Sequence, residues 1–149
     1  MTASPTALAS EEDMLNMGKA VLAAQPFSVL IGAELISFSK EAVDLQVPVI
    51  DKIRQQHGFV HGGVVSYAAD NALTYAGGSV LRAPVVTSEF KINYVRPAIG
   101  ERLIARAKAV HVGKTQAVCT CEVFMLFEGV DKLCAIAQGT IAVLPAPTR

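Results

Sequence analysis

One stretch limits what this chain can fold into more than any other: His61-Gly62-Gly63-Val64-Val65-Ser66-Tyr67-Ala68-Ala69-Asp70-Asn71-Ala72-Leu73-Thr74-Tyr75-Ala76-Gly77-Gly78. Val64, Val65, Ala68, Ala69, Ala72, Leu73 and Ala76 recur at helical spacing, and their small size suits close packing against other structure. The spacing predicts one long, buried helix over residues 61–78, stopped by Gly77-Gly78. Ser66, Asp70 and Thr74 fall four residues apart, so they draw a single polar stripe along an element that otherwise avoids polarity. A carboxylate on such a stripe needs a reason.

The flanking sequence predicts what encloses this helix. Ser10-Glu11-Glu12-Asp13 offers a cap and first-turn acids to an amphipathic helix carrying Met14, Met17, Val21 and Leu22, which Gln25-Pro26 ends. Phe27-Ser28-Val29-Leu30-Ile31 reads as a helical turn before Gly32. Residues 33–40 and 42–49 read as two strands of an antiparallel hairpin, and the polar segment 51–60 as a loop delivering side chains to the start of the long helix. Beyond it, Val86, Ser88, Phe90, Ile92 and Tyr94 alternate with Thr87, Glu89, Lys91 and Asn93. Further strands carry Leu103, Ala105, Ala107 and Ala109, then Ala117, Cys119, Cys121 and Val123, then residues 135–144, separated by glycine turns at Gly100, Gly113 and Gly129. Helix, two strands, long helix, four strands with short connections make an α+β fold, an antiparallel β-sheet with the long helix across one face. Residues 1–25 form a tail and amphipathic helix ahead of a single domain, 26–149.

Composition excludes several classes of function. Thirteen basic and thirteen acidic residues cancel without a block of like charge, which argues against nucleic acid and anionic membrane as partners. No signal-peptide pattern or membrane-spanning run is present, and the odd cysteine count suits a reduced, cytoplasmic setting with Cys119 and Cys121 as core fillers. High hydropathy in a soluble chain points to apolar surface buried between subunits. His57 and His61 lack a dedicated third ligand, so no metal is expected. Gly113-Lys114-Thr115 is not a phosphate-binding loop, because that motif would start at Lys108 on a strand.

The helix itself carries the chemistry. Gly62 and Gly63 stand at its N-terminus, where unpaired N–H groups and the positive dipole end are open to a ligand oxygen, an oxyanion hole in kind. Asp70, on an apolar helix and stripped of water unless Thr74 or an incoming water compensates, has the makings of a general base or a nucleophile. At about 1.5 Å rise per residue, Gly62 and Asp70 stand roughly 12 Å apart on one helix and cannot serve one carbonyl together. The same helix from a second subunit, running antiparallel, brings each glycine end to the other's Asp70 and makes two sites in a homodimer.

Gln55-x-x-Gly58-x-x-His61-Gly62-Gly63, followed nine residues after His61 by Asp70, resembles the hotdog-fold acyl-CoA thioesterases, in particular their PaaI-like (phenylacetate-type) branch. The resemblance runs over residues 27–144 and includes Asn93-Tyr94-Val95-Arg96-Pro97-Ala98, Gly113-Lys114-Thr115 and Ala137-Gln138-Gly139-Thr140. It implies a sheet wrapped around a central helix, homodimers pairing sheets edge to edge, and often homotetramers. It also implies roles. Asp70 is the base or nucleophile and the Gly63 N–H polarises the thioester carbonyl, with Gly62 beside it on the substrate. Gln55 and His61 position thioester or water from the partner subunit, Thr74 supports Asp70, and Thr87 places a hydroxyl near the site. Arg96, Lys114 and Arg82 are candidates for the coenzyme A phosphates; coenzyme A is part of the substrate and no separate cofactor is implied. Many relatives have Asn where this chain has Gln55, and some have Glu where it has Asp70.

The implied reaction is hydrolysis of an acyl-CoA thioester to free acid and coenzyme A. Two other readings stay open: a hydratase or dehydratase of acyl thioesters, pairing His61 with Asp70, and a non-catalytic acyl-CoA binding protein. Taken alone, Asp70 reads as a satisfied polar group, His61 as a helix-start residue, Gly62 and Gly63 as packing glycines, and Tyr67 and Tyr75 as aromatic packing rather than the lining of an acyl tunnel.

Overall fold

The computed structural model describes residues 10–147, so all but the last residue of the expected N-terminal tail lies outside it. Helix α1, Glu11–Ala23, starts from a full capping box: the Ser10 side chain accepts from the Asp13 N–H at 3.1 Å, and the Asp13 carboxylate accepts from the Ser10 N–H at 3.1 Å. A proline at its first position opens the short helix α2, Pro26–Leu30. Strands β1, Glu34–Phe38, and β2, Val43–Pro48, form the expected antiparallel hairpin, with Glu34 opposite Gln46 and Phe38 opposite Val43. Helix α3, Gly62–Leu81, is followed by β3 (Val85–Tyr94), β4 (Arg102–Val112), β5 (Gln116–Phe127) and β6 (Val130–Val143). All six strands form one antiparallel sheet in the order β1-β2-β4-β5-β6-β3, wrapped around α3. This is the α+β, hotdog arrangement that the resemblance implied.

Packing follows from residue size. Ala68, Ala69, Ala72 and Leu73 of α3 are wholly buried against Leu45, Val47, Leu103, Ala105, Ala117, Cys119, Val123 and Ile141 of the sheet. Small side chains let the helix axis come close to the strands, so most of its apolar area leaves water.

Four readings need correction. The long helix does not stop at Gly77-Gly78; it runs one turn further and ends at Arg82, which takes a left-handed conformation (φ 52°) and donates its N–H to the Gly78 carbonyl at 3.0 Å. Gly77 is there for closeness. A Cβ at that position would lie 2.5 Å from the Ile141 Cβ, so the glycine marks where helix and sheet nearly touch. Second, β3 does not alternate evenly, because the register slips between Thr87 and Glu89 and leaves Ser88 as an extra residue. Val85 and Thr87 therefore share the helix-facing side with Phe90 and Ile92, while Val86, expected beside Phe90, is exposed. Third, β6 begins at Val130, directly after the two-residue turn at Glu128 (φ 50°) and Gly129 (φ 76°). A register shift at Cys134 broke the alternation that would have revealed its first turns of strand. Fourth, segment 51–60 is not featureless: Asp51–Ile53 forms a 3₁₀ turn and Arg54 bridges to Val60.

Candidate active site

Asp70 sits midway along α3, half-buried, on the stripe with Ser66 and Thr74. Its Oδ1 accepts a 2.6 Å hydrogen bond from the Thr87 hydroxyl on β3. Thr87 Oγ1 lies 2.9 Å from Thr74 Oγ1, and Thr74 also reaches back to the Asp70 carbonyl at 2.9 Å. Thr87 meets Asp70 because of the bulge at Ser88: with the helix-facing side of β3 in phase from Phe90 backwards, the residue at position 87 would point away. Oδ2 of Asp70 accepts no hydrogen bond from the described residues and stays open to water. One oxygen is held and the other is free, which orients a carboxylate for proton transfer or attack.

A second cluster gathers at the N-terminus of α3. His61 is the N-cap, and its Nδ1 accepts the Gly63 N–H at 2.9 Å. A side chain at position 63 would press on this ring, with its Cβ 3.0 Å from Nδ1. Because Nδ1 is an acceptor, the neutral ring carries its proton on Nε2 and offers a donor outward. The Gly62 N–H makes no hydrogen bond with the described residues, so the open donor at this helix end is Gly62, while that of Gly63 is engaged. Gln55 Oε1 accepts the His57 backbone N–H, which leaves the Gln55 amide nitrogen as the group free to donate. Gln55, Gly62, Tyr94 and Arg96 line one groove of about 370 Å³ with Phe59 and Val60.

The structure thus brings Asp70, Thr74 and Thr87 together, and separately Gln55, His61, Gly62, Gly63 and Arg96. It does not unite the three cations. Arg82 caps the C-terminal end of α3, and Lys114 lies in the β4–β5 turn whose Thr115 carbonyl accepts from Val143, opposite the start of β3; Arg96 follows the far end of that strand. Two residues escaped sequence reasoning. Tyr94 donates its hydroxyl to the Gly62 carbonyl at 3.2 Å and walls the groove, yet in the sequence it is one more apolar member of a strand. Lys132 shares a smaller hollow of about 190 Å³ with Arg96 and lies 4.4 Å over the Phe127 ring; it falls in the part of β6 that the alternation did not reveal. Arg96 and Lys132 make no ion pair with a described residue, whereas Arg102 and Arg106 are committed to Glu34, Asp44 and Asp131.

Other candidates for chemistry are closed off. Burial pushes the Cys119 and Cys134 thiols up to about 11 and Cys121 up to about 12, which removes the thiolate a nucleophile needs. Burial likewise raises Tyr75 to about 12; its hydroxyl donates to the Gly18 carbonyl at 2.8 Å and its ring meets Phe38 edge-on at 5.2 Å. Tyr67 packs on Phe27 in the same way and bonds Ser28, so both tyrosines serve packing. Among the described residues no three His, Cys, Asp or Glu side chains converge as a metal site requires, and no helix is long and apolar enough to cross a membrane.

Comparison with known proteins bears on this geometry. The thioesterase superfamily model matches residues 57–126, which include His61, Gly62, Gly63, Asp70, Thr74 and Thr87. A thioesterase family protein of Silicibacter pomeroyi superposes with a TM-score of 0.82 at 32% identity, covering 89% of this chain and 97% of that one. The phenylacetic acid degradation protein PaaI of Thermus thermophilus, in the structure of a point mutant, gives a TM-score of 0.70 at 28% identity over 80% of this chain and 100% of its own. A 1,4-dihydroxy-2-naphthoyl-CoA hydrolase of Listeria monocytogenes is 28% identical over 76% of this chain and 91% of its own length.

Proposed function

The chain belongs to the thioesterase superfamily, and from that premise we propose that it hydrolyses an acyl-CoA thioester to the free acid and coenzyme A. The observation that carries the reading is Asp70, one oxygen fixed by Thr87 and the other open. In the hydrolysis, Oδ2 either removes a proton from the water that attacks the carbonyl carbon, or attacks that carbon itself to form an acyl anhydride that water then opens; in both cases the C–S bond breaks and coenzyme A leaves as a thiolate that takes up the proton. Negative charge then develops on the carbonyl oxygen, where an unpaired N–H at a helix start stabilises it. Gly62 is that donor in our reading, since His61 holds the neighbouring N–H of Gly63, which becomes a second donor when the imidazole turns away.

Helix rise keeps Asp70 and Gly62 of one chain roughly 12 Å apart, so the donor comes from a second copy and the working unit is a homodimer. Two features support it: the half-buried Ser66-Asp70-Thr74 stripe on α3, and β3, a ten-residue strand at one edge of the sheet. Gln55 and His61 each offer an outward N–H to the thioester, and Arg96, with Lys132 beside it, offers charge to the phosphates of coenzyme A. Release of free thiol, as against addition of water to an enoyl thioester, is the readout that separates this reaction from hydration.

Thiol release across a panel of acyl-CoAs tests the reading. Asp70→Asn keeps an acceptor for Thr87 and leaves the melting curve in place, while kcat falls by about 10²–10⁴-fold. Turnover at the parental rate in that variant removes Asp70 from the mechanism, and tight binding of the esters without thiol release makes the protein a binder.

A further inference from the structure

A groove of about 480 Å³ runs between α1 and the C-terminal half of α3 and ends against the residues that lead into β3. Met17 and Val21 of α1, with Phe38 and Val85, form its sides, and Thr74, Tyr75 and Gly78 lie along its α3 face, so the Tyr75 ring that packs on Phe38 also walls the groove. Three observations say what it holds. The groove starts beside the reactive carboxylate: Thr74 lines it and lies 2.9 Å from the Thr87 hydroxyl that donates to Asp70 at 2.6 Å. Its space comes from a missing side chain. Gly78 continues the Ser66-Asp70-Thr74 series by four residues, and a Cβ there would meet only Val85 Cγ2 at 3.4 Å, an ordinary contact, so the hollow is left unfilled by sequence and not by crowding.

Its chemistry is one-sided. No lining residue carries a charge, and Met17 and Val21 are 59% and 51% exposed, apolar surface left in water. The polar groups near its mouth are neutral amides tied to one another, Asn71 Nδ2 donating to Gln25 Oε1 at 3.1 Å and to the Tyr67 hydroxyl at 3.0 Å. A charged acyl group entering here would lose its water and find no opposite charge.

We propose that this groove receives the acyl group of the substrate, that it selects uncharged, apolar acyl groups larger than acetyl, and that Gly78, Val21 and Met17 set the size it accepts. The proposal rests on the thioesterase reading and names the substrate class of that site. With the intact protein, kcat/KM for hexanoyl-CoA should exceed that for acetyl-CoA and for succinyl-CoA by tenfold or more, as burial of successive methylenes implies. Gly78→Leu fills the groove and should lower the hexanoyl-to-acetyl ratio at least tenfold; Val21→Trp, on the exposed face of α1, should lower it in the same sense and covers the case in which the glycine variant fails to fold. Calorimetric affinities of the same esters for Asp70→Asn protein, with and without Gly78→Leu, give the ratio independently of turnover. A ratio that neither variant moves, or succinyl-CoA hydrolysed as well as hexanoyl-CoA, overturns the groove while leaving hydrolysis intact. Affinities that track acyl size and respond to Gly78→Leu, in a wild-type protein that releases no thiol, uphold the groove and overturn hydrolysis.

Discussion

Helix α3 carries two glycine pairs, Gly62-Gly63 at its start and Gly77-Gly78 near its end, and they do opposite things with the same lack of a side chain. At the start, the absence exposes backbone: Gly62 leaves its N–H open, and Gly63 leaves room for the His61 ring that caps the helix. Near the end, the absence exposes space. Gly77 lets Ile141 come into contact with the helix, and Gly78 leaves the hollow beside Thr74 and Val85. A glycine's meaning is therefore set by what faces it, and the two pairs separate an open backbone donor from a site of packing.

The sharpest way to break this contrast is Gly62→Pro. Proline is tolerated at the first position of a helix, and His61 already has the extended conformation (φ −57°, ψ 134°) that a following proline requires, so the change deletes the N–H and little else. Thiol release should fall by about 10²–10³-fold with the melting temperature nearly unchanged. Mixing that variant with Asp70→Asn, after the subunits are allowed to exchange, should restore about one quarter of the wild-type activity, because each mixed dimer has one site with both groups intact. No recovery on mixing means that the two groups act within one chain or not at all.

Gly77→Ala tests the other end. Its new methyl collides with a branched strand side chain that cannot swing away, an overpacking cost of about 1–3 kcal/mol against up to about 1 kcal/mol of helix propensity regained. Urea melts should show a net loss of about 1–2 kcal/mol. The smallest effect belongs to Gly78→Ala, where ordinary contact with Val85 replaces collision; there the propensity gain stands and stability should rise by up to about 1 kcal/mol. Equal behaviour of the two alanine variants would erase the distinction between contact and hollow.

The polar stripe is legible in the sequence because helical periodicity is local: residues four apart share a face whatever lies around them, so Asp70 and Thr74 stand out together. The glycines at the helix start follow from their position and the cysteine-bearing strand from its even alternation, whereas Gln55 and a site role for His61 come from the family resemblance. Thr87 was reached through family resemblance alone, because its contact depends on a register slip that period-two counting places on the wrong side. Gly77-Gly78 misled because two glycines after an apolar run are the ordinary signal of a helix end, and only the position of Ile141, more than sixty residues along the chain, says otherwise. Tyr94 and Lys132 were hidden for the same reason: each is an unremarkable strand residue until tertiary structure sets it beside Gly62 or Arg96.

The extra residue in β3 also gives that strand a parity. From Phe90 onward even-numbered side chains face the helix, and up to Thr87 odd-numbered ones do, with Ser88 absorbing the change. Point substitutions at Ser88 leave this count alone, and deleting Ser88 only removes the bulge: Thr87, Glu89 and Phe90 then oppose Ile141, Thr140 and Gly139 in unbroken alternation, with Thr87 and Phe90 both still on the helix side. A deletion at Lys91 has no such spare residue beside it and turns either Ile92 or Phe90 away from the helix. The strand therefore carries one dispensable position, and the same lesion is mild at the bulge and severe three residues further on.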